Sequence, residues 1–267
     1  MKIKELILQI RSIISDTLQP LHRRTKKSSG SNMDIEHLKM QISEIGEEQS
    51  IATHGEELLE LYTLLAEAYV SIKVFRPLGQ LSFEVRKVLR ESDIPWEVIE
   101  ETVPRFLDSL EYSVYHHEYY RLLLTFLAIA FKNNNLNADL KEYAEQLLKL
   151  RLLLRDIHDG QDNIPANEKQ AADMDAAITS MFSSEELSDI CHNPTLGRLR
   201  CDPVEYTLKW EEIYYDVEDY LSERFADVPR KMGFCHSYWS AKREYLKERY
   251  NIEWRSPKQM NPRVLFD

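Results

Sequence analysis

Apolar residues return every three or four positions along most of the chain, the spacing of one face of an α-helix rather than the alternation of a strand. Ile3, Leu6, Ile7, Ile10, Ile13, Ile14 and Leu18 form such a stripe, closed by Pro20, and predict an amphipathic helix over residues 2–19. The stretch from His22 to Ser31 has no apolar period and reads as a basic linker. Beyond it the pattern predicts helices at 33–50, 54–75, 78–91, 95–101, 103–132, 138–157, 167–181, 184–191, 203–226 and 235–250. Capping residues mark several starts: Asn32 with Glu36 nearby, Thr53 with Glu56, Ser183 with Glu186, and Asp202-Pro203 with Glu205. In the last three, a side-chain oxygen can take an orphan backbone N–H while the acid three residues on reaches back. No strand signal occurs outside the last fifteen residues, so the expected class is all-α.

The segment His158-Asp-Gly-Gln-Asp-Asn-Ile-Pro165 interrupts the helices, and Pro194, Gly197 and Pro203 interrupt them again. This divides the chain into an amino-terminal helix with its linker (1–31), a body (32–158) and a carboxy-terminal helical module (159–267). In the last, Tyr206, Trp210, Ile213, Val217 and Tyr220 line one face of a helix whose other faces carry Glu211, Glu212, Asp216, Glu218, Asp219 and Glu223. A tail with Trp254, Pro257, Pro262 and Phe266 is expected to dock on its own chain. Within the body, Leu65-Ala66-Glu67-Ala68-Tyr69 returns as Leu127-Ala128-Ile129-Ala130-Phe131, 62 residues later. Tyr62, Leu65, Ala66 and Tyr69 have the spacing of the first-helix signature of tetratricopeptide repeats, with Ala66 where that signature carries glycine. The body thus resembles such a repeat over residues 54–157. The resemblance implies antiparallel helix pairs stacked into an α-solenoid with a partner-binding inner face; an irregular helix bundle is the alternative.

Composition narrows the chemistry. The 267 residues contain only seven glycines, and no two lie close enough to form a Rossmann GxGxxG or a Walker phosphate loop. The GxSxG nucleophile elbow is also absent. The first twenty residues are too interrupted by charge for a secretory leader, and the longest apolar run, 122–131, is broken by Thr125 and too short to span a bilayer. Three cysteines do not suggest a disulfide framework, so a cytoplasmic protein is expected, with no membrane partner and no cofactor. The net charge of −11 is uneven. Residues 1–30 carry seven basic and two acidic side chains and residues 228–267 nine and four, leaving the stretch between strongly acidic. Such a middle opposes nucleic acid, whereas the basic ends suit an acidic partner, another copy included.

Four groups of residues are candidates for function. Tyr112, Tyr115 and Tyr119 fall on one face of the predicted 103–132 helix beside His116, His117 and Tyr120, an aromatic surface suited to a protein partner. Arg230, His236, Trp239 and Arg243 interleave cations and rings in the carboxy-terminal segment with Lys231, Tyr238, Lys242, Lys247, Arg249 and Trp254. They can meet the acidic 203–226 helix, a partner protein, or single-stranded nucleic acid. His158-Asp159 after an apolar helix is the pair an HD-type phosphohydrolase would use, with His116 or His117 and Asp173 or Asp175 completing a metal site. Cys191, His192, Cys201, Cys235 and His236 are the zinc alternative. The acidic stripe Glu212, Asp216, Asp219 and Glu223 lacks the Glu-x-x-His companions of a di-iron bundle and reads as a solvated face. The expected function is non-catalytic: a helical scaffold holding a protein partner, or self-association through the stripe of residues 3–18. A metal-dependent hydrolase and a nucleic-acid accessory protein are the rivals.

Overall fold

Apolar periodicity becomes helix almost wherever it was read. The computed structural model describes residues 5–12, 37, 39–40, 51–111, 113–157 and 168–266. Residues 5–12 are helical; then follow α1 (Ile51–Ser71), α2 (Leu78–Glu91), α3 (Trp96–Glu111), α4 (His116–Lys132), α5 (Lys141–Leu153), α6 (Glu168–Ser180), α7 (Ser184–His192), α8 (Leu208–Arg224), α9 (Phe234–Tyr250) and the single turn α10 (Pro257–Met260). Short 3-10 turns at Ala138–Leu140 and Pro203–Tyr206 lead into α5 and towards α8. The protein is all-α, with no strand among the described residues. None of the described helices is long and apolar enough to cross a membrane. The linker at 22–31, the Asn32 cap, most of the helix predicted at 33–50 and the break at 158–165 lie outside the described residues.

A glycine-poor chain must end its helices by other means. Lys73 and Asn134 take the left-handed conformation, with φ of 61° and 58°, just past α1 and α4. Val74 N–H donates to Tyr69 C=O at 2.9 Å and Asn135 N–H to Ala130 C=O at 2.7 Å, the six-to-one bonds of Schellman caps. Ser183 with Glu186 and Asp202 with Glu205 form the two reciprocal capping boxes read from sequence, and Ser256 with Gln259 forms a third. Two helical segments meet at His54, one residue past the expected Thr53 cap. The described span of α1, Ile51–Ser71, is kinked there, with His54 at φ −126° and ψ 25°.

One predicted boundary is wrong. The helices expected at 95–101 and 103–132 are α3 and α4, and the break falls at 113–115, not before Pro104, which lies inside α3. An interior proline costs a helix about 3 kcal/mol. Burial of Ile99, Val103, Phe106, Leu107 and Leu110 on both sides of it offsets that, at roughly 1.5–3 kcal/mol for each large apolar side chain. The chain turns where Ser113 bonds the Leu110 carbonyl through both its N–H (2.9 Å) and its Oγ (2.7 Å), while Tyr115 N–H donates to the same Oγ.

The described residues fall into two compact units, those within Met1–Tyr143 and Asp159–Met181 and those within Ala144–His158 and Phe182–Asp267. In the first, α1 packs on α2 and α3, and α4 packs on the same two helices. Residues 122–130 of α4 are buried without interruption, which makes it the most enclosed helix of the unit. Trp96 stacks on Phe126 with ring centres 5.6 Å apart, and a Cβ on Gly55 would come within 2.3 Å of Ser92 Oγ, so α1 approaches closely there. Arg105 on α3 grips Glu67 with Nε (2.9 Å) and Nη2 (3.1 Å) and Glu60 with Nη1 (2.9 Å). Glu60 also accepts from Arg11 Nη2 at 3.1 Å, and Leu6 and Ile10 are buried. Residues 5–12 are thus docked on this unit. The two alanine-containing stretches lie on α1 and α4, three helices apart. In a stack of helix pairs they would occupy unlike members, so the 62-residue offset is not a helix-pair period.

The second unit is built on α8 and α9. Trp210, Ile213, Val217 and Leu221 meet Ala241 and Leu246, and Trp254 returns from the tail to close the core. Tyr220 stacks on Tyr245 at 3.8 Å, and Trp210 on Trp254 at 6.2 Å. The opposite face of α8 exposes Glu212, Asp216, Asp219 and Glu223, the solvated stripe expected from sequence.

Candidate functional site

The second unit holds the densest polar chemistry. Lys242 points inward from α9 and is 7% exposed. Its Nζ lies 5.2, 4.9 and 5.4 Å from the ring centres of Trp210, Tyr214 and Trp254, and 2.6 Å from Glu218 Oε1. Tyr238 Oη donates to the other oxygen of Glu218 at 2.5 Å. An ammonium ringed by three aromatic faces and neutralised by one carboxylate is a cation–π cage, occupied here by the chain's own lysine. Burial raises the Tyr214 hydroxyl pKa far above its usual range, with Glu218 adding to the effect.

Beside the cage the tail is hooked to the start of α8. Trp254 Nε1 donates to Glu205 Oε1 at 2.8 Å, and Asp202 Oδ2 accepts from the N–H of Arg255 (3.0 Å) and from its Nε (2.8 Å). Burial pushes the Glu205 carboxyl above the ordinary range, opposed by the Trp254 donor and the Lys242 charge. Between this hook and α9 lies a recess of about 770 Å³ lined by Asp202, Ser240, Arg243, Glu244, Lys247, Ile252, Glu253, Trp254 and Arg255. Two of its cations are engaged: Arg255 with Asp202 at 2.8 Å and Lys247 with Glu253 at 2.7 Å. Arg243 is exposed and, among the described residues, has no ion-pair partner. His236, Ser240, Arg243 and Lys247 follow one another at four-, three- and four-residue steps, all exposed, so they form one stripe along α9.

The other sequence candidates are placed as follows. His236 meets Trp239 edge-on at 5.5 Å, and Trp239 meets Phe266 at 5.2 Å. The Arg230 guanidinium lies 5.8 Å from the Phe234 ring centre. Trp254, part of the interleaved ring set, is buried in the core. In the first unit, Tyr112 lies outside the described residues, and Tyr115 precedes α4, so the continuous face expected for Tyr112, Tyr115 and Tyr119 is not one helix. Tyr115 Oη donates to Arg76 C=O at 2.8 Å with its ring against Gly79, while Tyr119 is 8% exposed, its hydroxyl pKa raised by burial. His158 and Asp159 lie outside the described residues. Cys191, Cys201 and Cys235 are free thiols, and among the described residues no three His, Cys, Asp or Glu side chains converge as a metal-holding group. The zinc set Cys191, His192, Cys201, Cys235 and His236 is therefore not assembled.

The first unit has its own buried polar cluster. Arg86 is 1% exposed and its Nη2 donates to Glu118 Oε2 at 2.8 Å; Glu118 Oε1 accepts from Arg121 Nη1 at 2.8 Å. His117 is buried next to it in sequence, and the His116 imidazole is pushed down to about 4 by burial first and by the His117 charge second. An unfolded histidine titrates near 6.5, so between these values the unfolded chain holds the proton and the folded chain does not. Stability should therefore fall as pH drops from about 7.5 through 6.5 towards 4. Urea midpoints at pH 7.5 and 5.0 should lie closer together in His116→Gln than in the wild type; an unchanged gap would assign the pH dependence to other groups.

The sequence marks Lys242, Arg243, Lys247 and the acids of α8, but not the recess. Ser240, Ile252 and Glu253 carry no local signal for it. No family model matches the chain, and no curated protein or solved structure matches it either.

Proposed function

We propose that the chain is a non-catalytic helical protein that holds an acidic, partly apolar protein segment along α9. The supporting observation is Arg243: an exposed cation that, among the described residues, has no ion-pair partner, on one face of α9 with Lys247, at the rim of a recess whose walls include Ile252 and Trp254. Carboxylates of a partner would meet Arg243 and compete with Glu253 for Lys247, and an apolar side chain would enter the recess beneath them. The basic excess of residues 228–267 favours such a partner. Leu6 and Ile10 are buried in the first unit, which turns the interaction reading away from the amino-terminal stripe. The free thiols suit a reducing compartment, and the cytoplasm is the proposed place of action.

The test is fluorescence anisotropy with a labelled peptide of alternating glutamate and leucine pairs. Wild-type protein should bind it with an affinity that weakens between 50 and 300 mM salt, and Arg243→Glu with Lys247→Glu should weaken it at least about tenfold, or about 1.4 kcal/mol. Equal binding by wild type and variant, or none by either, would overturn the reading.

A further inference from the structure

The charges lining the recess between the tail and α9 are paired off save one. The lining carries three cations, Arg243, Lys247 and Arg255, and three acids, Asp202, Glu244 and Glu253. Asp202 holds Arg255 at 2.8 Å, Glu253 holds Lys247 at 2.7 Å, and Glu244 lies 3.5 Å from Arg224, which is outside the lining. Arg243 is left as a cation that, among the described residues, has no ion-pair partner. Glu244 and Glu253 are exposed in the same lining, and Glu248 is exposed farther along α9. A row of partner carboxylates would therefore set its further charges against acids of this chain, a cost that one carboxylate on Arg243 avoids.

The rest of the lining is Ser240, Ile252 and Trp254. Its volume of about 770 Å³ lies within the roughly 300–1,000 Å³ of sites that take a small group. We infer that the recess receives the carboxy-terminal residue of a partner protein, with the α-carboxylate on Arg243 and an apolar side chain against Ile252 and Trp254. The inference rests on the proposed docking of an acidic, partly apolar segment at α9 and names that segment as a chain end. In a terminal residue the carboxylate and the side chain share one Cα, so a single negative charge and an apolar group enter together and the chain leaves in one direction. A glutamate inside a chain has its apolar neighbour on another residue and needs room for backbone on both sides. The planar guanidinium of Arg243 matches a carboxylate through two parallel N–H bonds. Ser240 stands three residues earlier on the same helix face, exposed, where its hydroxyl can donate a further bond. Capture of a terminal carboxylate by a few convergent donors is a recurring mode of peptide recognition.

Fluorescence anisotropy on the full-length protein tests this with an amino-terminally labelled glycine–serine peptide ending in valine–leucine. The peptide with a free carboxylate should bind at least about tenfold tighter than the same peptide as its carboxamide, the loss expected for one charge-assisted contact. Arg243→Gln should bind acid and amide alike, whereas Lys247→Gln, which removes a cation already held by Glu253, should keep the preference. Both positions are exposed, and circular dichroism checks that the fold is kept. Equal binding of acid and amide by the wild type, binding of neither, or a preference that survives Arg243→Gln or is removed equally by Lys247→Gln would overturn the inference. A glutamate–leucine peptide capped at both ends separates the two readings. If the wild type binds it but does not distinguish acid from amide in the first peptide, the chain-end inference falls and segment docking stands; binding of no peptide removes both.

Discussion

Lys242→Ala should destabilise the second unit by about 2–4 kcal/mol, at the lower end of the range for breaking a buried ion pair. The reduction follows from Glu218, whose side chain keeps 27% exposure and its Tyr238 donor, so the carboxylate left behind is partly solvated. The lysine also places its ammonium inside the ring cage of Trp210, Tyr214 and Trp254. Three of the four tryptophans, Trp210, Trp239 and Trp254, belong to this unit, so the urea midpoint read by tryptophan fluorescence reports mainly on it. Lys242→Met fills the same space without the charge and should lose less. Methylammonium at about 100 mM should raise the midpoint of the alanine variant and leave the wild type unchanged, because the emptied cage still favours a small cation. A loss under about 1 kcal/mol for alanine would reduce the cage to the worth of a surface ion pair.

Arg86→Ala is the second large effect, expected at about 3–5 kcal/mol in the first unit. Arg86 is among the largest fully buried side chains, and its alkyl stem fills space between α2 and α4 beside Phe83, whose ring centre is 5.8 Å from the guanidinium carbon. Glu118 keeps Arg121, so most of the loss comes from the cavity rather than from a stranded carboxylate. Arg86→Met should therefore recover more than half of it, since a buried ion pair contributes little beyond a well-packed apolar side chain of similar volume. Amide hydrogen exchange over α2 and α4 would show the loss locally. Equal destabilisation by both variants would instead assign the effect to the charge pair.

The amino-acid sequence by itself determined the helical class, most helix positions, two capping boxes and the polarity of α8, because these depend on neighbours within four residues. Ser183 with Glu186 needs nothing beyond its own turn, and the row Trp210, Ile213, Val217 declares its buried face through spacing alone. The docked tail was legible too, since a segment rich in tryptophan and proline gains by burial. Tertiary structure decided the rest. Pro104 stays helical because distant helices bury the residues around it, and α1 stops at Ser71 through a left-handed Lys73 that no local preference announces. The recess exists because the chain reverses at Asn251, left-handed at φ 54°, and lays Ile252, Trp254 and Arg255 beside residues of α9 and Asp202. Whether a cation is caged like Lys242 or left open like Arg243 is settled by one residue's rotation about the helix axis relative to a neighbouring helix. Spacing along the chain sets that rotation, but only packing between distant segments supplies the neighbour.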